Sequence, residues 1–209
     1  MKKITLIIAA FLISGSMFGQ FHFGPQIGYS ASNISLNTDS ITNGLKNNFL
    51  IGAFVRMGKK IYVQPEVNWM TQGSVFKYPS FKDGIVPLEQ DIKISTLQVP
   101  VNLGWRIINL EIVNIRLFAG IAGNFVLNTN IDTKSGNADD YENALVPSDF
   151  KSVTWQWDAG LGVDVLMFAI DLKYMGGLSE VLNSDFKING NTISSKSNLF
   201  VVTLGWKIF

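Results

Sequence analysis

From Gln20 onward the strongest signal in the chain is an alternation of apolar and polar side chains with a period of two. Phe21, Phe23, Ile27 and Tyr29 alternate with His22, Gly24, Gln26 and Gly28. Phe49, Ile51, Ala53, Val55 and Met57 share one parity in a second segment, although Leu50 and Phe54 blur the other. Ile61, Val63, Val67 and Trp69 oppose Tyr62, Gln64, Glu66 and Asn68, and Leu97 to Trp105 oppose Gln98 to Gly104 in the same way. The plan repeats from Ile115 to Phe125, from Trp155 to Val165, from Ile170 to Tyr174 and from Phe200 to Ile208. Such alternation marks half-buried strands, because successive strand side chains point to opposite faces. The pattern predicts an all-β chain of eight strands.

The links sort into two kinds. Gly58-Lys59-Lys60, the stretch from Asn109 to Asn114, and Leu166 to Phe168 are short, whereas the links near 33–47, 73–90, 128–151 and 179–197 are long. Strictly alternating short and long links belong to an eight-stranded antiparallel up-and-down transmembrane β-barrel, with short periplasmic turns and long extracellular loops. A strand of about ten residues at ~3.4 Å rise and ~45° tilt spans roughly 24 Å, which fits the apolar band of about 25 Å. Asp83-Gly84 and Asn189-Gly190 are hairpin-turn pairs, expected to extend the barrel wall past the membrane. The 128–151 link carries Asp132, Asp139, Asp140 and Glu142 without the spacing of a calcium loop, so it reads as a solvated, mobile acidic loop.

Residues 1–19 have the layout of a secretory signal peptide. Lys2 and Lys3 precede the apolar run Ile4 to Ile13, and small residues follow at Ser14, Gly15, Ser16 and Gly19. Cleavage is expected before Gln20, or alternatively after Ser16, leaving a barrel domain at 20–209. No other window holds 18 consecutive apolar residues, so a spanning helix is not expected in the mature chain. The composition then acquires meaning: 47% hydrophobic and 16% charged residues are dispersed grease rather than a spanning helix. A net charge of +1 excludes a basic nucleic-acid footprint, and the absence of Cys excludes disulfides and thiol chemistry.

The two faces decide between a soluble barrel and its membrane inverse. The polar face carries Arg56, Glu66, Arg116, Asp158, Asp164, Asp171, Lys173 and Lys207, four of each sign. Inside a narrow lumen such charges must pair, since an unpaired one is costly there. All five tryptophans, Trp69, Trp105, Trp155, Trp157 and Trp206, fall on the apolar parity near strand ends. Threaded up and down, Trp69, Trp155, Trp157, Tyr29 and Tyr174 lie toward the loops, and Trp105, Trp206, Phe21, Phe23 and Phe168 toward the turns. Two aromatic girdles around an apolar belt are what a bilayer interface selects. The lumen charges therefore point inward and the tryptophans to lipid. Pro65 and Pro100, each lacking a ladder donor in mid-strand, are expected at bulges or bends.

The segments FGPQIGYSASN (Phe23 to Asn33), YVQPEVNWMTQG (Tyr62 to Gly73), LQVPVNLGW (Leu97 to Trp105), LFAGIAGNFVL (Leu117 to Leu127), DAGLGVDV (Asp158 to Val165) and DLKYMGGL (Asp171 to Leu178) resemble the PorT-like outer-membrane β-barrel family of Bacteroidetes. The resemblance covers the chain from about Phe21 to Phe209. It implies an eight-stranded outer-membrane barrel, and it permits a role as an accessory component of a type IX secretion or gliding machinery. It also implies barrel assembly machinery as a partner during biogenesis. The usual terminal aromatic is out of phase here, since Phe209 follows Ile208 and the in-phase ring is Trp206.

Catalytic chemistry is not expected. The only His, His22, sits at the periplasmic rim, a poor place to act on outer-leaflet lipid. Glu66 with Asp158, Asp164 or Asp171 mimics a pair of catalytic carboxylates, but an eight-stranded lumen is just wide enough for its own side chains, so salt bridges are expected. Neither a cofactor site nor a metal site is expected. The leading expectation is a structural or interaction barrel whose contacts, with outer-membrane lipid and with envelope or secretion proteins, are made by the belt and the loops.

Overall fold

The computed structural model describes residues 21–36, 42–44, 46–78, 80, 86–110, 112–141, 144–183, 187–188, 191–192 and 195–208. Residues 1–20, the pairs Asp83-Gly84 and Asn189-Gly190, Glu142 and Phe209 lie outside them. Eight long strands run through the described residues: β1 Phe21–Leu36, β2 Lys46–Gly58, β3 Ile61–Tyr78 and β4 Leu88–Asn109. After them come β5 Val113–Ser135, β6 Val153–Val165, β7 Phe168–Gly177 and β8 Ser195–Trp206. Each pairs antiparallel with its chain neighbours, and β1 closes the ring on β8 through pairs such as Ile27 with Leu204. The result is an eight-stranded antiparallel up-and-down barrel closed on itself through the belt, where the described strands pair on both sides and the ladder is not left open to lipid.

The side-chain phase is that of a membrane barrel. Ile27, Ile51, Ile61, Val67, Val101, Leu103, Ile121, Leu161, Leu172 and Phe200 point outward and are exposed. Gln26, Gln64, Glu66, Asn68, Gln98, Asn102, Asn124 and Gln156 point inward and are buried. Glycines make room for the largest inward groups. A Cβ on Gly104 would stand 2.1 Å from Tyr62 Cζ, and one on Gly162 would stand 2.5 Å from Arg116 Nη2. These cross-strand pairs of a large group with a glycine let a small lumen hold a ring and a guanidinium.

Strand length departs from expectation. Strand β4 has 22 residues and β5 has 23, so each covers roughly 50 Å along the barrel at ~45° tilt, about twice the apolar band. The 73–90 link shrinks because Phe76, Lys77 and Tyr78 pair with Gln90, Glu89 and Leu88. The 128–151 link shrinks because Asn128 to Ser135 belong to β5, where Asp132 faces Asp91 across the ladder. On either side of Asn189-Gly190, Lys187 pairs with Thr192 and Ile188 with Asn191.

Above the belt the barrel turns inside out. Along β4 the inward positions change from Gln98 and Thr96 to Ile94, Ile92 and Leu88, all buried. The outward positions change from Val101 and Leu97 to Lys93, Asp91 and Glu89. Parity is unbroken while polarity reverses, as required of a wall that leaves lipid for water. A bulge sets the same face on β5: Thr96 pairs with Val126 but Ser95 with Asn128, so Leu127 is the extra residue. Pro65 and Pro100 carry no bulge. The register runs through both unshifted, and only the ladder pairing lapses beside them, while the shifts fall at Glu89/Gln90, Ser95/Thr96 and Arg106/Ile108.

The turns are tight at the other end. Gly58 has φ of 124°, and a Cβ there would meet Ile61 O at 2.3 Å. The two-residue turn Leu166-Met167 places Leu166 at φ of 52°, a left-handed conformation that costs an L-residue about 1–2 kcal/mol.

Candidate functional site

Three zones of the barrel hold its specific features: a charged lumen, an apolar cap at the loop end, and aromatic rims. In the half of the lumen near the turns, Asp164 from the end of β6 is the hub. Its carboxylate meets Arg56 Nη1 at 2.8 Å, Arg116 Nη2 at 2.8 Å and Lys207 Nζ at 3.5 Å. Arg116 also donates to Asp171 at 2.5 Å and to the Tyr62 hydroxyl at 3.1 Å, and Arg56 donates through Nε to Gln64 at 2.6 Å. The Tyr62 ring lies 5.1 Å from the Arg56 guanidinium carbon and 5.8 Å from those of Arg106 and Arg116. One aromatic ring thus serves several cations, which favours a desolvated guanidinium cluster.

Farther up, Lys173 grips both oxygens of Glu66, at 2.5 and 2.7 Å. Gln26, Gln64 and Asn68 donate to the same carboxylate at 2.9, 2.9 and 3.1 Å. Asn102, with its amide nitrogen turned to Asp158, donates to that carboxylate at 3.2 Å. A neutral amide layer follows, in which Gln98 donates to Asn124 at 2.9 Å and Asn124 to Gln156 at 3.0 Å. Beside it Leu50, Met70, Ala122, Met175, Leu199 and Val201 form an apolar cluster in the lumen.

All eight charged residues read from the alternation therefore stand inside the barrel, seven of them buried and Lys207 at the turn-end mouth. One was missed. Arg106, 3% exposed, has the inward parity of Asn102 and Gly104 and lies a single residue past Trp105, the last residue of the strict alternation. Among the described residues the count becomes five cations against four carboxylates rather than four of each. Glu66 is engaged by Lys173 and three amides, Asp164 by three cations and Asp171 by Arg116, so these carboxylates stand in ion pairs. His22 lies at the turn-end mouth with Arg106 and Lys207 around a cleft of 410 Å³. Among the described residues no group of His, Asp and Glu is arranged to hold a metal.

The cap could not be read from strand periodicity. Ile34, Phe76, Tyr78, Leu88, Ile92 and Ile94 of the extended wall pack against Leu145, Phe150, Val181 and Leu182 of the long links. Gln90 ties the first link down like a strand partner, donating to Leu145 O at 3.1 Å and accepting from Leu145 N at 3.0 Å. Phe150 bridges Leu182, Lys151 N donates to Val181 O at 2.8 Å, and Asn183 N to Asp149 O at 2.7 Å. Burial pushes the Tyr78 phenol well above its ordinary pKa. The described parts of these two links are thus folded onto the barrel rather than free in solvent, and Asp140 lies exposed on the outside of the cap.

All five tryptophans face outward, between 40% and 52% exposed. Trp69 stands in the middle of β3 rather than near its end, because β3 continues into the cap. On the loop side Tyr29 and Phe49 meet at 5.7 Å, Trp157 and Tyr174 at 5.5 Å, and Tyr174 and Phe200 at 4.9 Å. On the turn side Phe21 and Phe23 meet at 6.1 Å.

Residues 14–183 match a family model described as outer membrane protein beta-barrel domain. No curated protein matches the sequence. Among solved structures, neisserial surface protein A is similar at 11% identity, over 91% of this chain and 100% of that one, with a TM-score of 0.48. Ail, the attachment invasion locus protein of Yersinia pestis, was solved with the heparin analogue sucrose octasulfate. It is similar at 13% identity over 91% and 100%, with a TM-score of 0.46. OprG of Pseudomonas aeruginosa is similar at 11% identity over 91% and 95%, with a TM-score of 0.45.

Proposed function

The chain belongs to the outer membrane protein beta-barrel domain family, and on that premise we propose that it is a sealed, non-catalytic barrel that works by what its loop end presents. The observation that carries this reading is the cap. A wall extended beyond the apolar belt and closed by Leu145, Phe150, Val181 and Leu182 makes a rigid platform, and rigid elements hold contact residues better than free loops. The packed charge clusters, amide layer and apolar cluster below it favour a structural lumen over a conducting one. Residues 1–19 serve as the export signal, the aromatic rims sit at the two lipid interfaces, and barrel assembly machinery inserts the chain.

The resemblance to PorT-like barrels supports a second reading, an accessory component of a type IX secretion or gliding machinery. Two measurements test these readings. Purified barrel in a planar bilayer is expected to give no stable conductance, whereas steady open-channel current would contradict the sealed lumen. Deletion of the gene, with envelope integrity, gliding and secretion scored separately, separates the readings: loss of secretion or gliding with an intact envelope favours the machinery, and the reverse favours the interaction barrel.

A further inference from the structure

We propose that the far edge of β5 beyond the belt, from Asn128 to Thr133, takes up an extended peptide segment of a partner protein by β-strand addition. The inference rests on the reading of a presenting loop end and gives that end its contact. Strand β6 begins at Val153, opposite Phe125, so it flanks β5 only as far as the belt. The last bond on that side is donated by Val126 N to Ser152 O, at 2.8 Å. Beyond it β5 continues paired with β4 alone among the described residues. The described residues 144–150 of the next link turn inward to the cap, where Leu145 is tied to Gln90 and Phe150 bridges Leu182.

This edge is regular. From Ser95 with Asn128 to Gln90 with Thr133 the ladder to β4 runs through six consecutive residues unshifted, between two register breaks. The stretch holds neither Gly nor Pro and is roughly 20 Å long. A strand bonded on one side directs half of its N–H and C=O groups to the other, and such a row is a template for another chain. Thr129 and Ile131 are half-buried on the cap side, so β-branched or apolar residues of an added strand gain contact there. Asn128, Asn130 and Asp132 are exposed on the outer face. Asp132 stands across the ladder from Asp91, whose ion partner is Lys46, and forms no ion pair itself among the described residues. A cation on the added strand beside Asp132 relieves that like-charge contact. The occupant is therefore an extended segment that alternates apolar or β-branched residues with polar ones and carries a Lys or Arg. A second copy in the same membrane does not fit. Two identical antiparallel edges share a twofold axis normal to the sheet, and two parallel edges share one along the tilted strand. Neither axis stands along the membrane normal, as two copies in one membrane require.

The test uses the full chain folded in neutral detergent and a fluorescent synthetic peptide of about eight residues, valine alternating with threonine around one central arginine. Saturable binding is expected, with slowed amide exchange confined to β5 from Asn128 to Thr133. N-methylation of one alternate set of peptide amides should abolish binding, and methylation of the other set should spare it, because an added strand uses only one of its edges. Asp132→Lys should weaken binding at least tenfold and restore it for the peptide with glutamate in place of arginine, a rescue that a misfolded variant could not show. Equal effects of the two methylated sets, indifference to Asp132→Lys, or protection elsewhere on the barrel would overturn the proposal. Absence of saturable binding would overturn it too, and if the bilayer also shows no conductance, the sealed barrel stands without this contact.

Discussion

Asp164 is the residue on which the lower lumen depends. Asp164→Asn leaves Arg56 and Arg116 buried with one carboxylate, Asp171, in place of two. Removing one partner from a buried ion pair costs about 3–5 kcal/mol. The urea-unfolding midpoint in lipid vesicles should fall accordingly, and an unchanged midpoint would show that the cluster contributes little. Gly104→Ala acts by space instead, since its Cβ would overlap Tyr62 Cζ; overpacking of this kind costs about 1–3 kcal/mol. Adding Tyr62→Leu should relieve the clash, so the double variant should be less destabilised than the sum of the two singles. Additive losses would mean that the ring and the glycine do not meet. At this scale the sequence is informative wherever strict alternation holds, and it places Arg56, Glu66 and Asp158 in the lumen. Arg106 escaped because Ile107 and Ile108 blur the parity after Trp105, and the structure explains the blur by the register shift between Arg106 and Ile108.

A single strand, β4, carries two environments in one parity. Val101 stands in the apolar belt and Ser95 above it, both on the outer face. Lysine at the lipid midplane of such a barrel costs about 2–4 kcal/mol, and near the interface about 0–1. Val101→Lys should therefore destabilise the barrel in vesicles by an amount in the upper range, while Ser95→Lys should be nearly silent. Equal effects would remove the belt boundary from between them. The reversal from Gln98 to Ile94 inside, and from Leu97 to Lys93 outside, was legible only in part. It has the same period as the belt, but its inverted polarity reads as loop until the wall is known to continue. The extra residue Leu127 hides the continuation in β5 by shifting its parity. The cap residues Leu145, Phe150, Val181 and Leu182 follow no period, because links have none, and only tertiary packing against Phe76 and Ile92 shows their role.

Over the whole molecule, the belt, the filled lumen and the cap require one orientation: turns in the periplasm, cap outside, and Val101 in lipid. The chain contains no Cys, so single cysteines report position without background. Asp140→Cys lies on the cap, Lys60→Cys on the β2–β3 turn and Val101→Cys on the belt. Intact cells treated with a membrane-impermeant maleimide should label Asp140→Cys alone. Permeabilising the outer membrane should add Lys60→Cys, and Val101→Cys should react only after denaturation. Labelling of Lys60→Cys in intact cells, or of Val101→Cys in the folded protein, would contradict the account.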